Sequence, residues 1–336
     1  MDRKNDTMKT VYLVIPCYNE EAVLPETTKR LAEKLSALME KGMITKQSRA
    51  VFVDDGSKDR TWEMIEAYHN TQPEFFEGIK LSRNEGHQNA LLAGLMTVRT
   101  HCDAAISLDA DLQDDINAID AMVERFLEGY DVVYGVRSAR KTDSFFKRST
   151  AQGFYKMMSM MGVDVVYNHA DYRLMSQRAL DGLSQYKEVN LFLRGIVPMI
   201  GYRSTTVYYE RAKRFAGESK YPLKKMLAFA MQGITSLSIK PIRLITSLGF
   251  LIFMVSLLML GYFLVRHFTG HTVPGWTSIA ASVWMIGGLQ LLAIGIIGEY
   301  IGKIYLESKA RPKYFIEQWL HNDSYDADAS SEIRSL

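Results

Sequence analysis

Ala104-Ala105-Ile106-Ser107-Leu108-Asp109-Ala110-Asp111-Leu112-Gln113-Asp114 begins as a short apolar run and ends in three carboxylates and a glutamine. The first five residues read as a buried strand, and the acidic stretch as its exit. Oxygen donors of this kind suit Mg²⁺ or Mn²⁺, which bind through one or two carboxylates and fill their shell with water and substrate phosphate oxygens. Asp109 and Asp111 can both reach one such ion if the chain bends there. A lone D-x-D is more often a solvated acidic turn, so its surroundings have to decide.

Upstream, the same arrangement recurs. Strands are expected at Val11 to Ile15, Ala50 to Val53 and Phe76 to Leu81, separated by helices from Glu21 to Glu40, Arg60 to Asn70 and Gln88 to Thr100. Alternation of this kind predicts an α/β fold: a mostly parallel sheet with helices on both faces and ligands at the carboxyl ends of the strands. Polar clusters fall at those ends: Pro16-Cys17-Tyr18-Asn19-Glu20-Glu21, Asp54-Asp55-Gly56-Ser57, Ser82-Arg83-Asn84-Glu85-Gly86-His87-Gln88, then D-A-D-L-Q-D. Any one of them could be a helix cap or a turn. Four at successive strand ends point to one shared nucleotide site. The first strand is not followed by G-x-G-x-x-G and no Walker A lysine loop occurs, so neither NAD nor ATP is indicated.

With 40 Lys and Arg against 38 Asp and Glu, the net charge of +2 argues against nucleic acid as a partner. The apolar residues are unevenly spread. Leu244 to Val265 and Trp276 to Ile297 are each about the 20 residues needed to cross a hydrocarbon core, and together they predict a transmembrane hairpin over residues 242–300. Lys224, Lys225, Lys240 and Arg243 precede the first span, and Lys303, Lys309, Arg311 and Lys313 follow the second. By the positive-inside rule both flanks face the cytosol. The expected organisation is a cytoplasmic catalytic domain over residues 1–222, a juxtamembrane amphipathic helix over 223–241, the hairpin, and a cytoplasmic segment over 301–336 whose tail is disordered from about 322. No secretory signal is read at the N-terminus. Phe145 to Met158, within an interfacial helix near 144–162, and Leu223 to Phe229 interleave aromatics and methionines with cations, as helices lying among lipid headgroups do. Cys17 and Cys102 lack the spacing of a zinc or redox pair and are read as free thiols.

These motifs resemble the GT-A glycosyltransferases that charge polyisoprenyl phosphates, the dolichyl-phosphate mannose synthase and bactoprenol glucosyltransferase group, in its membrane-anchored bacterial branch. The resemblance runs from Val11 to about Lys313. It is carried by V-I-P-C-Y-N-E-E (Val14–Glu21), V-D-D-G-S-K-D-R-T (Val53–Thr61), R-N-E-G-H-Q (Arg83–Gln88), D-A-D-L-Q-D (Asp109–Asp114), Y-G-V-R (Tyr134–Arg137) and R-F-A-G-E-S-K-Y (Arg214–Tyr221). It implies that Pro16, Tyr18, Glu20 and Asp54 line a nucleoside pocket with Asp55 close by. It also implies that Asp109, Asp111 and Gln113 surround a Mg²⁺ or Mn²⁺ ion and the diphosphate. Arg83, with a carboxylate for a neighbour, is left off the catalytic set.

A lipid phosphate acceptor needs cations near the sugar. Arg137, closing a strand from Asp131, suits bidentate phosphate binding. Arg214 and Lys220 could close over the same phosphate, or could serve only as generic attraction to anionic lipid. Asp171, where the family carries an aspartate, is the candidate for orienting the acceptor or taking a proton, with Arg173 offering it a structural ion pair instead. The expected reaction transfers one hexose with inversion from a UDP-sugar to undecaprenyl phosphate, glucose first and N-acetylglucosamine second. The lipid-linked sugar would then serve decoration of a cell-surface polymer. The enzyme is expected in the cell membrane as a homo-oligomer, a tetramer being the first guess. Two alternatives stand beside this reading. A processive polysaccharide synthase would carry Q-x-x-R-W and more spans, neither of which is present. A non-catalytic membrane scaffold would keep the fold but not need its carboxylates.

Overall fold

The computed structural model describes residues 8–138, 169–189, 192–210, 240–269 and 275–322. They fall into two units, one containing the sheet and its helices, the other two long helices. The first unit comprises β1 (Val11–Cys17), α1 (Leu24–Glu40), β2 (Arg49–Asp54), α2 (Thr61–Thr71), β3 (Phe76–Leu81), α3 (His87–Val98), β4 (Ala104–Ser107), α4 (Ala118–Leu127), β5 (Val132–Arg137), β6 (His169–Ser176), α5 (Gln177–Ser184), α6 (Leu193–Met199) and β7 (Ser204–Tyr209). The second holds α7 (Lys240–Phe268) and α8 (Trp276–Lys309), after which β8 (Ile316–Leu320) belongs again to the first.

The eight strands form one sheet in the order β7-β5-β6-β4-β1-β2-β3-β8. β1 pairs in parallel with β2 and β4, and β2 with β3. β1, β2 and β4 are buried at every position, as strands covered on both faces must be. Helix α1 buries Leu24, Leu31, Leu35 and Leu38 at helical spacing, and these pack with Leu13, Ile15, Phe52 and Ile106 of the sheet. Each fully buried side chain of this size contributes roughly 1.5–3 kcal/mol. Cys17 and Cys102 are both free and buried, and burial pushes the Cys102 thiol up to about 12.

Three strands were not drawn from the sequence. β6 runs antiparallel between β4 and β5, so the residues around Asp171, for which no strand was expected, are a central strand. Its buried charges are tolerated there because they are paired. β7 extends the sheet in parallel beside β5. At the other edge β8 pairs antiparallel with β3, setting Trp319 opposite Ile79. His321 just beyond it lies 2.9 Å from the buried Glu77 carboxylate and stacks on Trp319 with ring centroids 4.4 Å apart.

The expected spans fall within α7 and α8. Among the described residues one stretch, the 25 residues Met285–Lys309 with mean hydropathy 1.5, is long and apolar enough to cross a membrane. The expected interfacial helix near 144–162, most of the juxtamembrane helix, Arg214, Lys220 and the tail beyond 322 lie outside the described residues.

Gly56, at the turn after β2, has φ +65, and a Cβ there would stand 2.6 Å from the Asn84 backbone nitrogen and 2.7 Å from the Arg83 carbonyl carbon. The turns after β2 and β3 therefore touch backbone to backbone. Gly56→Ala is expected to cost about 2–4 kcal/mol through combined strain and clash, read as a lower midpoint in chemical denaturation of the full chain.

Candidate active site

The carboxyl ends of β1, β2, β3 and β4 are stitched together by short contacts. The Asp55 N–H donates to the Cys17 carbonyl at 2.9 Å. The Asn19 N–H donates to Ser57 Oγ at 3.0 Å and the Glu20 N–H to Thr61 Oγ1 at 2.9 Å, which fastens the turn after β1 to that after β2. Asn19 holds a left-handed backbone, φ 55, a conformation asparagine tolerates better than most residues. Asp55 then reaches forward, accepting from the N–H groups of Glu85 at 2.7 Å and Gly86 at 3.0 Å. Asp54 is buried and accepts weakly from the Ser57 N–H. Burial pushes both carboxyls upward in pKa, opposed at Asp54 by Ser57 and at Asp55 by the two amides. Pro16 is buried in the end of β1, while Tyr18 leaves 42% of its surface exposed over the same rim.

The acidic loop follows β4. Thr27 of α1 donates to the Ala110 carbonyl at 2.9 Å, and the Gln113 N–H donates to Asp111 Oδ1 at 3.1 Å. Leu112 between them has φ 55, a left-handed non-glycine residue of the kind that concentrates at functional sites. Burial holds Asp109 above the usual carboxylate range, with His87 opposing and Asp114, Asp171 and Asp111 adding to it. His87 opens α3 with its Nε2 3.6 Å from Asp109 and 3.9 Å from Asp171. It thereby links the third strand end to the fourth and to β6.

On β6, Asp171 lies 2.6 Å from Arg173 Nη2 and 3.0 Å from Arg194 Nη2. Of the two roles left open for it, the ion pair with Arg173 is present. Arg194 of α6 joins because that helix is docked at both polar atoms of Leu193: its N–H donates to Gln88 Oε1 at 3.0 Å, and its carbonyl accepts from Arg173 Nη1 at 3.3 Å. Although burial works the other way, the two arginines keep the Asp171 carboxyl well below the usual range. Ser107 at the end of β4 bonds to the Asp171 carbonyl and fixes β6 against the acidic loop.

Arg137, at the end of β5, donates from Nε to the Tyr209 hydroxyl at 3.1 Å and from Nη2 to Asp114 Oδ1 at 3.3 Å. The carboxylate that closes the D-A-D-L-Q-D motif thus meets the arginine expected at the acceptor. Arg83 pairs with Glu85 at 2.6 Å, in keeping with its omission.

The oxygen-only set of Asp109, Asp111 and Gln113 on one loop fits a hard cation. Among the described residues no three His, Cys, Asp or Glu side chains close on a common metal position, so the protein's share of a shell there would be partial, as Mg²⁺ accepts when phosphates supply the rest. A cavity of about 380 Å³ lies between α1 and the 112–117 loop, lined by Arg30, Glu33, Lys34, Leu112, Asp114 and Asn117 among others. Four residues that sequence reasoning left without a role, His87, Asp114, Arg194 and Tyr209, sit among those it named. His87 and Asp114 were at least inside quoted motifs, whereas Arg194 and Tyr209 carry no local signal.

Residues 12–183 match the model of glycosyl transferase family 2, and residues 240–304 that of the GtrB C-terminal hairpin. The chain is 53% identical over 312 residues to the glycosyltransferase YkoT of Bacillus subtilis, covering 93% of this chain and 92% of that one. It is 37% identical over 309 residues to the bactoprenol glucosyl transferase of Shigella phage SfV, covering 91% and 98%. Among solved structures it is similar to a glucosyl-3-phosphoglycerate synthase from Mycobacterium tuberculosis at 19% identity and a TM-score of 0.44, covering 68% of this chain and 79% of that one. An α/β sheet with its polar strand ends gathered on one rim, a family match across that rim and a second match across the helices that follow make this chain a glycosyltransferase of family 2.

Proposed function

We propose that the protein transfers one hexose, with inversion, from a UDP-sugar to undecaprenyl phosphate at the inner face of the cell membrane. Glucose is the first choice of sugar and N-acetylglucosamine the second. The observation that carries this reading is the meeting of the D-A-D-L-Q-D loop with Arg137 through Asp114, which brings a diphosphate-type acidic loop and a phosphate-type cation onto one rim. The relative named bactoprenol glucosyl transferase, aligned over nearly its whole length, supports a polyprenol carrier and glucose.

In this reading Pro16, Tyr18, Glu20 and Asp54 bind the nucleoside, and Asp55 holds the loop that completes the pocket. Mg²⁺ or Mn²⁺ held by Asp109, Asp111 and Gln113 would neutralise charge on the leaving diphosphate. Arg137, with Arg214 and Lys220, receives the lipid phosphate. One of its oxygens forms the new bond to C1 while the C1–O bond to UDP breaks on the opposite face and UDP departs with the electron pair. A phosphate is already largely dianionic at neutral pH, so no protein base is needed. Asp171, held ionised by two arginines, fits the work of orienting Arg194 and His87 better than that of taking a proton.

Exposed Leu244, Phe250, Leu258, Ile279 and Leu291 give α7 and α8 an apolar surface that lipid would cover, which supports a hairpin of two spans with both flanks cytoplasmic. Gly287, Gly288, Gly295 and Gly298 on α8 face open space, which supports self-association into a homo-oligomer through close helix approach.

Mass spectrometry of undecaprenyl phosphate incubated with the protein, Mn²⁺ or Mg²⁺ and a panel of nucleotide sugars is expected to show a single added hexose from UDP-glucose. Asp111→Ala is expected to reduce product by about 100-fold or more, the scale on which charge stabilisation is lost. Absence of product with every donor, alongside retained nucleotide binding, would favour a scaffold.

Asp171→Asn keeps the shape but leaves Arg173, 2% exposed, without its counter-charge. Chemical denaturation at pH 7 is expected to show a loss of about 3–5 kcal/mol. Because the folded-state pKa is depressed, that contribution is full above the unfolded carboxylate value of about 4 and fades as pH falls below it, so the gap to the native chain should narrow on acidification. A general base would instead show unchanged stability and a lost kcat.

A further inference from the structure

We propose that Asp114 and Tyr209 are positioning residues that aim Arg137 at the acceptor phosphate and lock it to the loop that serves the donor. The inference rests on the reading of Arg137 as the phosphate-binding cation. Tyr209 donates its hydroxyl proton to Asp114 Oδ1 at 2.5 Å and accepts from Arg137 Nε at 3.1 Å. Arg137 Nη2 reaches the same Asp114 oxygen at 3.3 Å. Three groups from three elements, the acidic loop, β5 and β7, close one ring of charge-assisted hydrogen bonds. The Tyr209–Asp114 bond is short, as charge-assisted bonds are, and a planar guanidinium held along its Nε–Nη2 edge has its direction fixed.

The grip is built into the fold. The Asp114 side chain is 3% exposed, and its Oδ2 has no hydrogen-bond partner among the described residues. A buried carboxylate with half its acceptors idle depends on the arginine charge. Tyr209 is fixed in turn by Tyr172, whose ring meets it edge-on with centroids 5.2 Å apart and whose hydroxyl donates to the Asp115 carbonyl at 3.0 Å. Tyr172 has room because residue 135 is glycine, where a Cβ would stand 2.9 Å from the Tyr172 carbonyl oxygen and 3.0 Å from its ring. Burial, with Asp114 reinforcing it, raises the Tyr209 hydroxyl pKa, so the phenol stays a donor to Asp114 throughout the working pH range. Displacing the acidic loop would therefore turn Arg137, and donor and acceptor sites are mechanically joined through one oxygen.

The test is steady-state kinetics of the full chain with UDP-glucose and undecaprenyl phosphate, comparing Tyr209→Phe, Asp114→Asn, Arg137→Lys and the Tyr209→Phe/Arg137→Lys double variant. Tyr209→Phe removes one bond to a charged group and is expected to raise KM for the lipid phosphate about tenfold while KM for the donor stays within about twofold. Asp114→Asn is expected to act in the same direction, and it decides the matter if Tyr209→Phe fails to fold. If Tyr209 acts through Arg137, the double variant is no worse than Arg137→Lys, since coupled residues are non-additive. An unchanged acceptor KM in Tyr209→Phe, an equal rise in both KM values, or multiplying losses in the double variant overturns the inference while leaving the Arg137 reading intact. An Arg137→Lys variant with native acceptor KM, or native protein that adds no sugar to the lipid, overturns the reading itself.

Discussion

A guanidinium buried to 2% exposure, that of Arg173, is the constraint around which the rim is arranged. An uncompensated charge cannot be kept at that depth, so β6 must deliver Asp171 beside it, and the strand can lie in the middle of the sheet only with that pair in place. The same arginine accepts the task of holding the Leu193 carbonyl, which docks α6 and sends Arg194 to the other side of Asp171. His87 then stands between Asp171 and Asp109. The strand, the helix and the first residue of α3 are fixed by one buried charge and the groups needed to satisfy it.

The acidic loop is divided electrostatically by these contacts. Asp114 is compensated by Arg137, and Asp171, facing the loop from β6, by two arginines. Asp109 has an imidazole as its ionic neighbour among the described residues and is lifted towards its protonated form. The beginning of the loop thus faces an imidazole, whereas Asp114 faces a guanidinium.

How much of this could be read beforehand follows from the range of the forces involved. The strands β1 to β4 and their helices are local patterns: runs such as Val11–Ile15 and the spacing of Leu24, Leu31, Leu35 and Leu38 specify them without reference to distant residues. The polar strand ends were legible for the same reason, as was the acidic loop at the exit of β4. β6 was not, because H-A-D-Y-R-L-M-S looks like a polar connection until Arg194, 23 residues away, is brought to Asp171. Tyr209 and Asp114 are 95 residues apart, and nothing in either neighbourhood announces the other. The edge strand β8 reads I-E-Q-W-L, too short and too mixed to stand out, and it becomes a strand because β3 offers an unpaired edge.

That last strand also imposes a rule of parity on the chain. β7 precedes the two long helices and β8 follows them, yet both belong to one sheet. A polypeptide that leaves one edge of a sheet and comes back to the other edge of that same sheet must have passed any barrier an even number of times, or not at all. A single span, or three, would strand β8 on the wrong side of the sheet it pairs with. If α7 and α8 insert in a membrane as proposed, the sheet acts as a topological counter for them: were one of them to fail to insert, either the other would have to stay out as well or the β3–β8 ladder would have to be given up.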